Sequence, residues 1–397
     1  MTTIIYNANV VLQYEIAYGY LIIESDKICE IGKGYLPQDK KSNNMINARG
    51  KYLSPGFVEL HTHGAGGADF MDGDVTSFLT AANTHMKHGT TSLLPTTLAA
   101  NKECTLLCIK NYIEAKKIIK NGPNLLGLHM EGPYLNPTYK GAMDEKSLRN
   151  PDPAEYKFLI EKYPNTILRW TIAPELPGAM EMGRYLKKHG ICVSIGHSAA
   201  EYETVKEAFY NGFTHITHLY SAMSTITRRG GFRFSGVQES ALIINGLTVE
   251  LIADGCHIPI ELLNTVWRYK GPENIALTCD SMRCAGTDEK ESFLGSKGYG
   301  IPVIIEDDVA KLLDKSGFGG SIATDDRLVR TMYHSAKIPL VDCIKMMCLT
   351  PSRIIGVERE KGSIDCGKDA DLIIFDENIV IERVLVGGKT TYLNKNK

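Results

Sequence analysis

The chain has 397 residues, more than a single hydrophobic core usually supports outside a barrel, so we expect one barrel and a small second domain. Its formal net charge is −2 with no basic block, which argues against a nucleic-acid or membrane-surface partner. We expect no signal peptide and no membrane-spanning segment, because no apolar run is long enough. The ten cysteines show no metal-ribbon spacing, which favours a reduced, cytoplasmic protein of enzyme size.

Both ends of the chain are rich in short strand patterns separated by Gly and Asn turns. In the first segment, residues 1–52, these patterns are Ile4–Leu12, Gly19–Ile23 and Lys27–Ile31. The same pattern returns across 357–397. Because chain termini commonly lie close together, the sequence predicts a small β-sandwich domain formed from both termini.

Between these segments, residues 53–356 alternate short β-rich runs with longer amphipathic segments, which predicts a (β/α)8 TIM-type barrel rather than an open sheet. The predicted strands are Leu53–Leu60, Thr91–Leu94, Leu125–His129, Ile167–Ala173, Ile191–Ile195, His215–Leu219, Thr248–Ala253 and Ile275–Cys279. The predicted helices are Val75–Lys87, Lys102–Ile119, Glu181–His189, Tyr202–Tyr210, Ile260–Tyr269 and Arg327–Ser335. A Gly-rich segment near 290–319 predicts a β-hairpin insertion, with strand patterns at Tyr299–Glu306 and Val309–Leu313.

Reactive groups of such barrels stand at the C-terminal ends of the strands. Five predicted strand ends carry His, Glu or Asp, at His61 and His63, Glu131, His197, His218 and Asp280. Because a strand alternates faces with a period of two, His61 and His63 point the same way. The sequence therefore predicts one shared site at this end of the barrel.

The residue types at these ends indicate metal-assisted hydrolysis. Glu131, His197 and His218 form a His2Glu set of the kind that leaves zinc an open position for water. His61 and His63 are candidates for a second metal with Glu131 bridging, and Asp280 suits a general base that passes a proton to a leaving amine. We expect one or two divalent ions as cofactor; zinc is the first choice, and iron or manganese also accept such ligands.

The positions of the other histidines predict different roles. His215 faces away from His218 and is expected to be structural, whereas His129 lies one layer below Glu131 and is expected to pack or hydrogen-bond there. His257 follows the seventh strand and is expected to contact substrate. Four histidines on or beside helices are expected to be solvated or satisfied: His85, His88, His189 and His334.

Several longer motifs surround these residues. They are Pro55-Gly56-Phe57 before His61, His129-Met130-Glu131-Gly132-Pro133, Gly196-His197-Ser198, Thr217-His218-Leu219-Tyr220-Ser221-Ala222-Met223, Ile252-Ala253-Asp254-Gly255-Cys256-His257, Thr278-Cys279-Asp280 and Gly367-Lys368-Asp369-Ala370-Asp371-Leu372. Through them the chain resembles the N-acetylglucosamine-6-phosphate deacetylases of the amidohydrolase superfamily over nearly its full length. The resemblance implies hydrolysis of the N-acetyl amide of N-acetylglucosamine 6-phosphate to glucosamine 6-phosphate and acetate, with Asp280 as catalytic base and acid.

The resemblance also implies how the amino-sugar phosphate is bound. It places the phosphate near Ser221, Ala222 and Arg229 and the sugar near His257, with the loop Phe318-Gly319-Gly320 beside it. It further implies a homodimer in which the partner subunit supplies the arginine.

Some positions depart from the family pattern. After Lys140-Gly141-Ala142 the family normally places a histidine that helps to bind the acetyl carbonyl, whereas this chain has Met143, whose thioether donates no hydrogen bond. Ser221 replaces an asparagine, and Arg283 adds a charge shortly after Asp280. These changes keep two alternatives open: a related amidohydrolase acting on another N-acyl or cyclic amide, and an inactive paralogue that binds a sugar phosphate.

Overall fold

The computed structural model describes residues 2–298 and 300–395, and its centre is a nearly closed barrel of eight parallel strands. In chain order these are Phe57–Thr62, Thr90–Thr97, Leu128–Glu131, Ile167–Ile172, Cys192–Ile195, Phe213–Ile216, Thr248–Ile252 and Ile275–Thr278. Each strand pairs with the next, and the first and eighth meet through a bridge between Thr62 and Ser281 and a few backbone hydrogen bonds such as Asp280 N to the His61 carbonyl. The predicted TIM-type barrel is confirmed.

Helices cover the outside of the barrel. The α-helices are Val75–Lys87, Lys102–Ile118, Pro153–Lys162, Ala179–Lys188, Tyr202–Tyr210, Val237–Ile243, Ile260–Lys270, Asp325–Arg330, Leu340–Met347 and Leu349–Ile354. Short 3-10 turns lie at Pro137–Tyr139, Glu145–Ser147 and Pro272–Asn274, and the predicted helix Arg327–Ser335 becomes a π-helical turn at Thr331–Ser335. Side-chain caps begin several helices; the Asp74 carboxylate, for example, accepts from Ser77 N at 2.8 Å.

Strands from both chain ends pair in one eight-stranded sheet. They are Thr2–Val11, Ile16–Glu24, Lys27–Lys33, Asn44–Asn47, Tyr52–Pro55, Leu372–Phe375, Ile381–Val386 and Lys389–Leu393. The strand Tyr52–Pro55 pairs with Thr2–Val11 on one side and with Leu372–Phe375 on the other. It therefore joins the two termini.

The predicted barrel strand Leu53–Leu60 is wrong as a single element. It divides at Gly56 into Tyr52–Pro55 of the terminal sheet and Phe57–Thr62 of the barrel. A Cβ at Gly56 would lie 2.1 Å from the Thr91 side chain, so only glycine permits this close approach. Because the apolar run is uninterrupted, the sequence does not indicate that the chain passes from one sheet to the other at Gly56.

The insertion after the eighth strand is a three-stranded antiparallel sheet of Glu291–Leu294, Ile301–Glu306 and Val309–Leu312. The second and third of these strands form the predicted hairpin, although Tyr299, its predicted first residue, lies outside the described residues. Smaller two-stranded ribbons pair Gly64–Ala65 with Ala68–Asp69, and Thr227–Arg229 with Phe232–Phe234. Across the described chain, no helix has the length and apolar character needed to cross a membrane.

A buried ion pair between Arg169 and Glu250 occupies the barrel interior. The Arg169 guanidinium also donates to Ser194 Oγ at 3.1 Å, to Thr217 Oγ1 at 3.0 Å and to the Leu60 carbonyl at 3.2 Å. One side chain thus links five strands, because its partners come from the first, fifth, sixth and seventh. Its hydrogen bonds offset the cost of burying the charge.

Arg169→Met should destabilise the barrel strongly. The substitution leaves the Glu250 carboxylate buried without its guanidinium partner, and removing one member of a buried pair costs about 3–5 kcal/mol. We expect a loss of that size in the free energy of unfolding, measured by urea titration. Arg228→Met on the exposed ribbon is the control and should leave the midpoint unchanged; an equally stable Arg169→Met protein would contradict this role.

Candidate metal centre and substrate cavity

The predicted ligands stand at equivalent places on different strands. His61 lies in the first strand with His63 just beyond it, and Glu131 ends the third strand. His197, His218 and Asp280 each follow their strand by two residues. The structure therefore brings all six side chains to one end of the barrel.

The backbone turns sharply at three of these positions. The φ angles of His197, His218 and Asp280 are 49°, 28° and 43°, in a region that residues with a side chain rarely adopt. Such conformations persist where the surrounding structure fixes them, and they cluster at functional sites. Here the turn directs each side chain to the barrel mouth.

The Glu131 carboxylate is the centre of the first ligand group. Its Oε1 atom lies 3.1 Å from His197 Nε2 and 3.0 Å from His218 Nε2. The two Nε2 atoms are themselves 3.2 Å apart. Glu131, His197 and His218 thus offer three convergent ligand atoms, which is the predicted His2Glu set.

The second group consists of His61, His63 and Asp280. His63 Nε2 lies 3.3 Å from Asp280 Oδ1 and 3.2 Å from Glu131 Oε2. His61 Nε2 lies 3.4 Å from both Asp280 Oδ1 and Glu131 Oε1. Glu131 therefore contacts both groups, as a bridging ligand would.

The hydrogen bonds of the ligand histidines leave their Nε2 atoms free to bind a cation. His197 Nδ1 lies 2.8 Å from the Tyr139 carbonyl, and His61 Nδ1 lies 2.8 Å from Glu250 Oε1. Each Nδ1 donates to its acceptor in the neutral ring, which leaves the Nε2 lone pair facing the Glu131 carboxylate. Two acceptors that face each other in a buried site need a positive ion between them.

The charges of the site agree with this requirement. Burial alone would lower the pKa of His61, but the Asp280, Glu131 and Glu250 carboxylates outweigh it and hold that pKa well above its usual value. The pKa of His63 is likewise raised to about 9, because hydrogen bonds to Asp280 and Glu131 outweigh burial. The site therefore attracts positive charge strongly, as protons or as metal.

A cavity of about 420 Å³ opens onto both ligand groups. Of the residues expected to bind substrate, it is lined by Ala142, Met143, Ser221, Ala222, His257, Phe318 and Gly320, while Gly319 lies between the last two. Sequence reasoning missed the apolar wall of Leu98, Leu294 and Leu312, because two of these belong to the insertion. No Lys or Arg of the described residues lines the cavity.

His257 is held at the cavity wall by Asp254. Its Nδ1 atom lies 2.7 Å from Asp254 Oδ2, which also accepts from Ser321 Oγ at 3.0 Å. The ring contacts Phe318 with a centroid separation of 4.7 Å. This arrangement fixes the ring and leaves Nε2 available to a ligand.

The predicted phosphate ligand Arg229 lies outside the cavity, and so does Arg283, which was expected to add a charge near the site. Arg229 is 58 % exposed on its ribbon, where it pairs with Glu201 at 2.8 Å. Arg283 is buried and donates to Asp72 Oδ1 at 2.8 Å, with its guanidinium over the Phe293 ring. The expectation of an extra charge at the site was therefore wrong for Arg283, because Asp72 neutralises it elsewhere.

His129 and His215 agree with their sequence interpretation. His129 Nε2 hydrogen-bonds Thr171 Oγ1 at 2.7 Å, and the ring packs edge-on against His61. His215 is buried outside the cavity, with Nδ1 2.8 Å from Thr248 Oγ1. Neither residue belongs to the ligand groups.

Sequence reasoning missed the polar layer beneath the ligands. Glu250 and Arg169 lie within the otherwise apolar strands Thr248–Ile252 and Ile167–Ile172. A charge inside a strand buried on both faces is costly without a partner. That anomaly was visible in the sequence and could have identified both residues.

Comparisons with known proteins agree with this geometry. The profile of the amidohydrolase family matches residues 52–391. N-acetylglucosamine-6-phosphate deacetylase of Haemophilus influenzae is 32% identical over 387 residues, covering 96% of this chain and 97% of that protein. The Bacillus subtilis enzyme of the same name is 29% identical over 380 residues, covering 95% and 93%.

Solved structures give the same result. N-acetylglucosamine-6-phosphate deacetylase of Pasteurella multocida superposes with a TM-score of 0.91 at 29% identity, covering 99% of this chain and 100% of that one. A Mycobacterium smegmatis deacetylase mutant, solved in complex with N-acetyl-D-glucosamine-6-phosphate, gives 0.89 at 26% identity over 98% and 99% of the two chains. The chain therefore belongs to the amidohydrolase family, among the relatives of the N-acetylglucosamine-6-phosphate deacetylases.

Proposed function

We propose that this protein is a metal-dependent deacetylase of amino-sugar metabolism. It hydrolyses the N-acetyl amide of N-acetylglucosamine 6-phosphate to glucosamine 6-phosphate and acetate. The observation that carries the proposal is the convergence of two ligand groups and Asp280 on one cavity. The names of the Haemophilus and Pasteurella relatives, and the sugar phosphate bound by the mycobacterial one, support this substrate.

The donor set fits one or two divalent ions. Glu131, His197 and His218 would hold one ion, and His61 with His63 would hold a second that Glu131 also contacts. Bound divalent metal lowers the pKa of water and polarises a carbonyl oxygen. Zinc is the first candidate because imidazole nitrogens and carboxylate oxygens are among its usual ligands; iron and manganese are the alternatives.

Asp280 performs the proton transfers. Burial raises the pKa of its carboxyl, but His61 and His63 outweigh burial and hold that pKa below its usual value. The group is therefore ionised and can accept a proton from the attacking water. It then returns the proton to the departing nitrogen, so that the amino-sugar phosphate leaves with a neutral amine group.

The cavity binds and orients the substrate. His257, fixed by Asp254, faces the sugar, and Ser221 and Ala222 lie where the phosphate is expected. A phosphate needs a cation, yet none lines the cavity within the described chain. We therefore assign this role to Arg229 of a partner subunit in a homodimer, since Arg229 is exposed on a projecting ribbon.

A second candidate function is favoured by Met143. Its side chain is 7 % exposed and packs with Ala99 and Leu135, and its thioether offers no hydrogen-bond donor to the cavity. Losing one oxyanion donor costs about 10²–10³ in kcat. The apolar wall suits another N-acyl or cyclic amide substrate. The inactive-paralogue reading is disfavoured because all five ligands and Asp280 are present.

The same proposal covers the organisation and location of the protein. Residues 1–52 and 357–397 form a small β-sandwich domain, and 53–356 form the catalytic barrel with its insertion near 290–319. The shared terminal sheet and its own buried cluster around Ile5, Leu21 and Leu372 support this division. All ten cysteines are free, which supports the reducing cytoplasm.

Asp280→Asn should abolish proton transfer without unfolding the protein. An amide cannot accept the proton from water, so kcat for acetate release should fall by about 10²–10⁴-fold. The assay compares N-acetylglucosamine 6-phosphate with the unphosphorylated sugar and with longer N-acyl and cyclic amides. Asp288→Asn, exposed in the loop that follows, is the control.

Turnover of N-acetylglucosamine 6-phosphate that survives in Asp280→Asn would contradict the assigned base. Turnover confined to another N-acyl or cyclic amide would establish the second candidate in place of the first. Metal content is measured on the same samples, so that a loss of ligands is not taken for a loss of the base.

His63→Asn tests the number of ions. The variant removes an imidazole from the second group and leaves Glu131, His197 and His218 intact. We expect elemental analysis to find one ion fewer per chain than in the parent. His334→Asn is the matched control, because the His334 ring lies away from the ligand groups, where it hydrogen-bonds the Glu377 carbonyl at 3.0 Å and packs against Tyr333. Unchanged metal content in His63→Asn would contradict the second ion and indicate a centre with one ion.

Mixed dimers test the role of Arg229. Asp280→Asn and Arg229→Ala chains should each be nearly inactive on the phosphorylated sugar. A heterodimer of the two contains one site with an intact Asp280 and an intact Arg229 from its partner, so co-expression should restore activity. A monomer in sedimentation, or a verified heterodimer without recovery, would refute the shared site.

A further inference from the structure

A third group of possible ligands lies beside the seam between the first and eighth barrel strands. A ring nitrogen of His85, the Cys279 Sγ and a carboxylate oxygen of Asp325 lie within 4.8 Å of one another. All three residues are fully buried. None takes part in the proposed reaction, and none lines the substrate cavity.

The charge around this group is unbalanced. The Glu59 and Asp325 side chains lie within hydrogen-bond reach of each other, and both are fully buried. Within the described chain, neither has an ion pair with a Lys, Arg or His side chain. Other buried acids do have one, as Glu250 has Arg169. Two adjacent buried carboxyl groups cannot both be ionised without a cation, so the pair requires either a shared proton or a bound ion.

Two atoms of the group also lack hydrogen-bond partners. His85 Nδ1 is inaccessible to solvent and has none, and Asp325 Oδ1 has none unless a proton is shared with Glu59. The other atoms of the same side chains are satisfied: His85 Nε2 lies 2.8 Å from Thr62 Oγ1, and Asp325 Oδ2 accepts from Thr90. Buried polar atoms are nearly always partnered, so orphans at one place point to a missing ligand.

We propose that His85, Cys279 and Asp325 bind a third divalent metal ion, with a structural role. One nitrogen, one thiolate and one carboxylate oxygen are a ligand set that zinc or ferrous iron accepts. The ion supplies the positive charge that Glu59 and Asp325 lack. The Cys279 thiol loses its proton to solvent on binding, as thiol ligands do.

The position of the proposed ion explains its structural role. Cys279 immediately precedes Asp280, and Thr62, which contacts His85, lies between His61 and His63. At this seam the first and eighth strands share only a bridge and a few hydrogen bonds, such as Asp280 N to the His61 carbonyl at 3.0 Å. Through Cys279 the ion ties the end of the eighth strand to the helices Val75–Lys87 and Asp325–Arg330, and it reaches the first strand through the hydrogen bond between His85 and Thr62.

Sulfur ligation separates this site from the catalytic centre, whose ligands are all nitrogen and oxygen. The full-length protein is purified with its metals and then prepared with cobalt in place of the native ions. We expect the cobalt form to show thiolate-to-cobalt charge-transfer absorption in the near ultraviolet. X-ray absorption of the native metal should show a sulfur neighbour at about 2.3 Å if that metal is zinc.

Cys279→Ser should lose one metal ion per chain and the charge-transfer band while keeping the ions of the catalytic ligands. Cys343→Ser is the matched control, because Cys343 is also buried and its thiol donates only to the Ile338 carbonyl at 3.5 Å. The measurement on the parent protein does not depend on either variant folding. Absence of both sulfur signals in fully metallated parent protein would overturn the proposal and leave a proton shared between Glu59 and Asp325.

Discussion

The site depends on one buried contact, the convergence of imidazole nitrogens on the Glu131 carboxylate. Glu131 is only 2 % exposed, and a buried carboxylate is tolerated only where positive charge compensates it. The histidines of both ligand groups lie within 3.4 Å of its oxygens. The barrel mouth is therefore built around a negative charge that has to be matched by protons or by metal.

The layer below keeps those groups in place. Glu250 accepts from His61 Nδ1 and from the His218 backbone N–H at 3.2 Å, and it pairs with Arg169. Because Arg169 also bonds partners on other strands, the ring orientations at the mouth are coupled to the closure of the barrel. Stability and ligand geometry thus share the same side chains, as is usual where a second layer of hydrogen bonds orients metal ligands.

The ligand positions were predictable from the sequence because a barrel brings every strand end to one place. Once the strand rhythm is recognised, His197, His218 and Asp280 need no long-range information. The helix Val75–Lys87 was also predictable to the residue, because its Asp74 cap and apolar periodicity are local. These are cases in which neighbouring residues alone decide the structure.

What the sequence did not predict depends on distant contacts. The close contact at Gly56 is made with Thr91, which lies on the next barrel strand. The charge of Arg283 is neutralised by Asp72, which is distant in the chain. The insertion brings Leu294 and Leu312 to the cavity wall from a segment with no catalytic pattern. Local sequence patterns do not indicate which distant residues contact each other.

Met143 and the pair His61 and His63 are best understood together. A buried methionine removes a hydrogen-bond donor from the cavity wall, and stabilising a developing oxyanion is usually the largest electrostatic contribution to such a reaction. Under the proposed function, that stabilisation has to come from elsewhere in the cavity. The second ligand group lies on the same cavity as Met143, and a divalent ion held there would polarise a carbonyl oxygen. A chain that kept Met143 but lost these two histidines would therefore lose both sources of stabilisation, which gives a physical reason for their presence together.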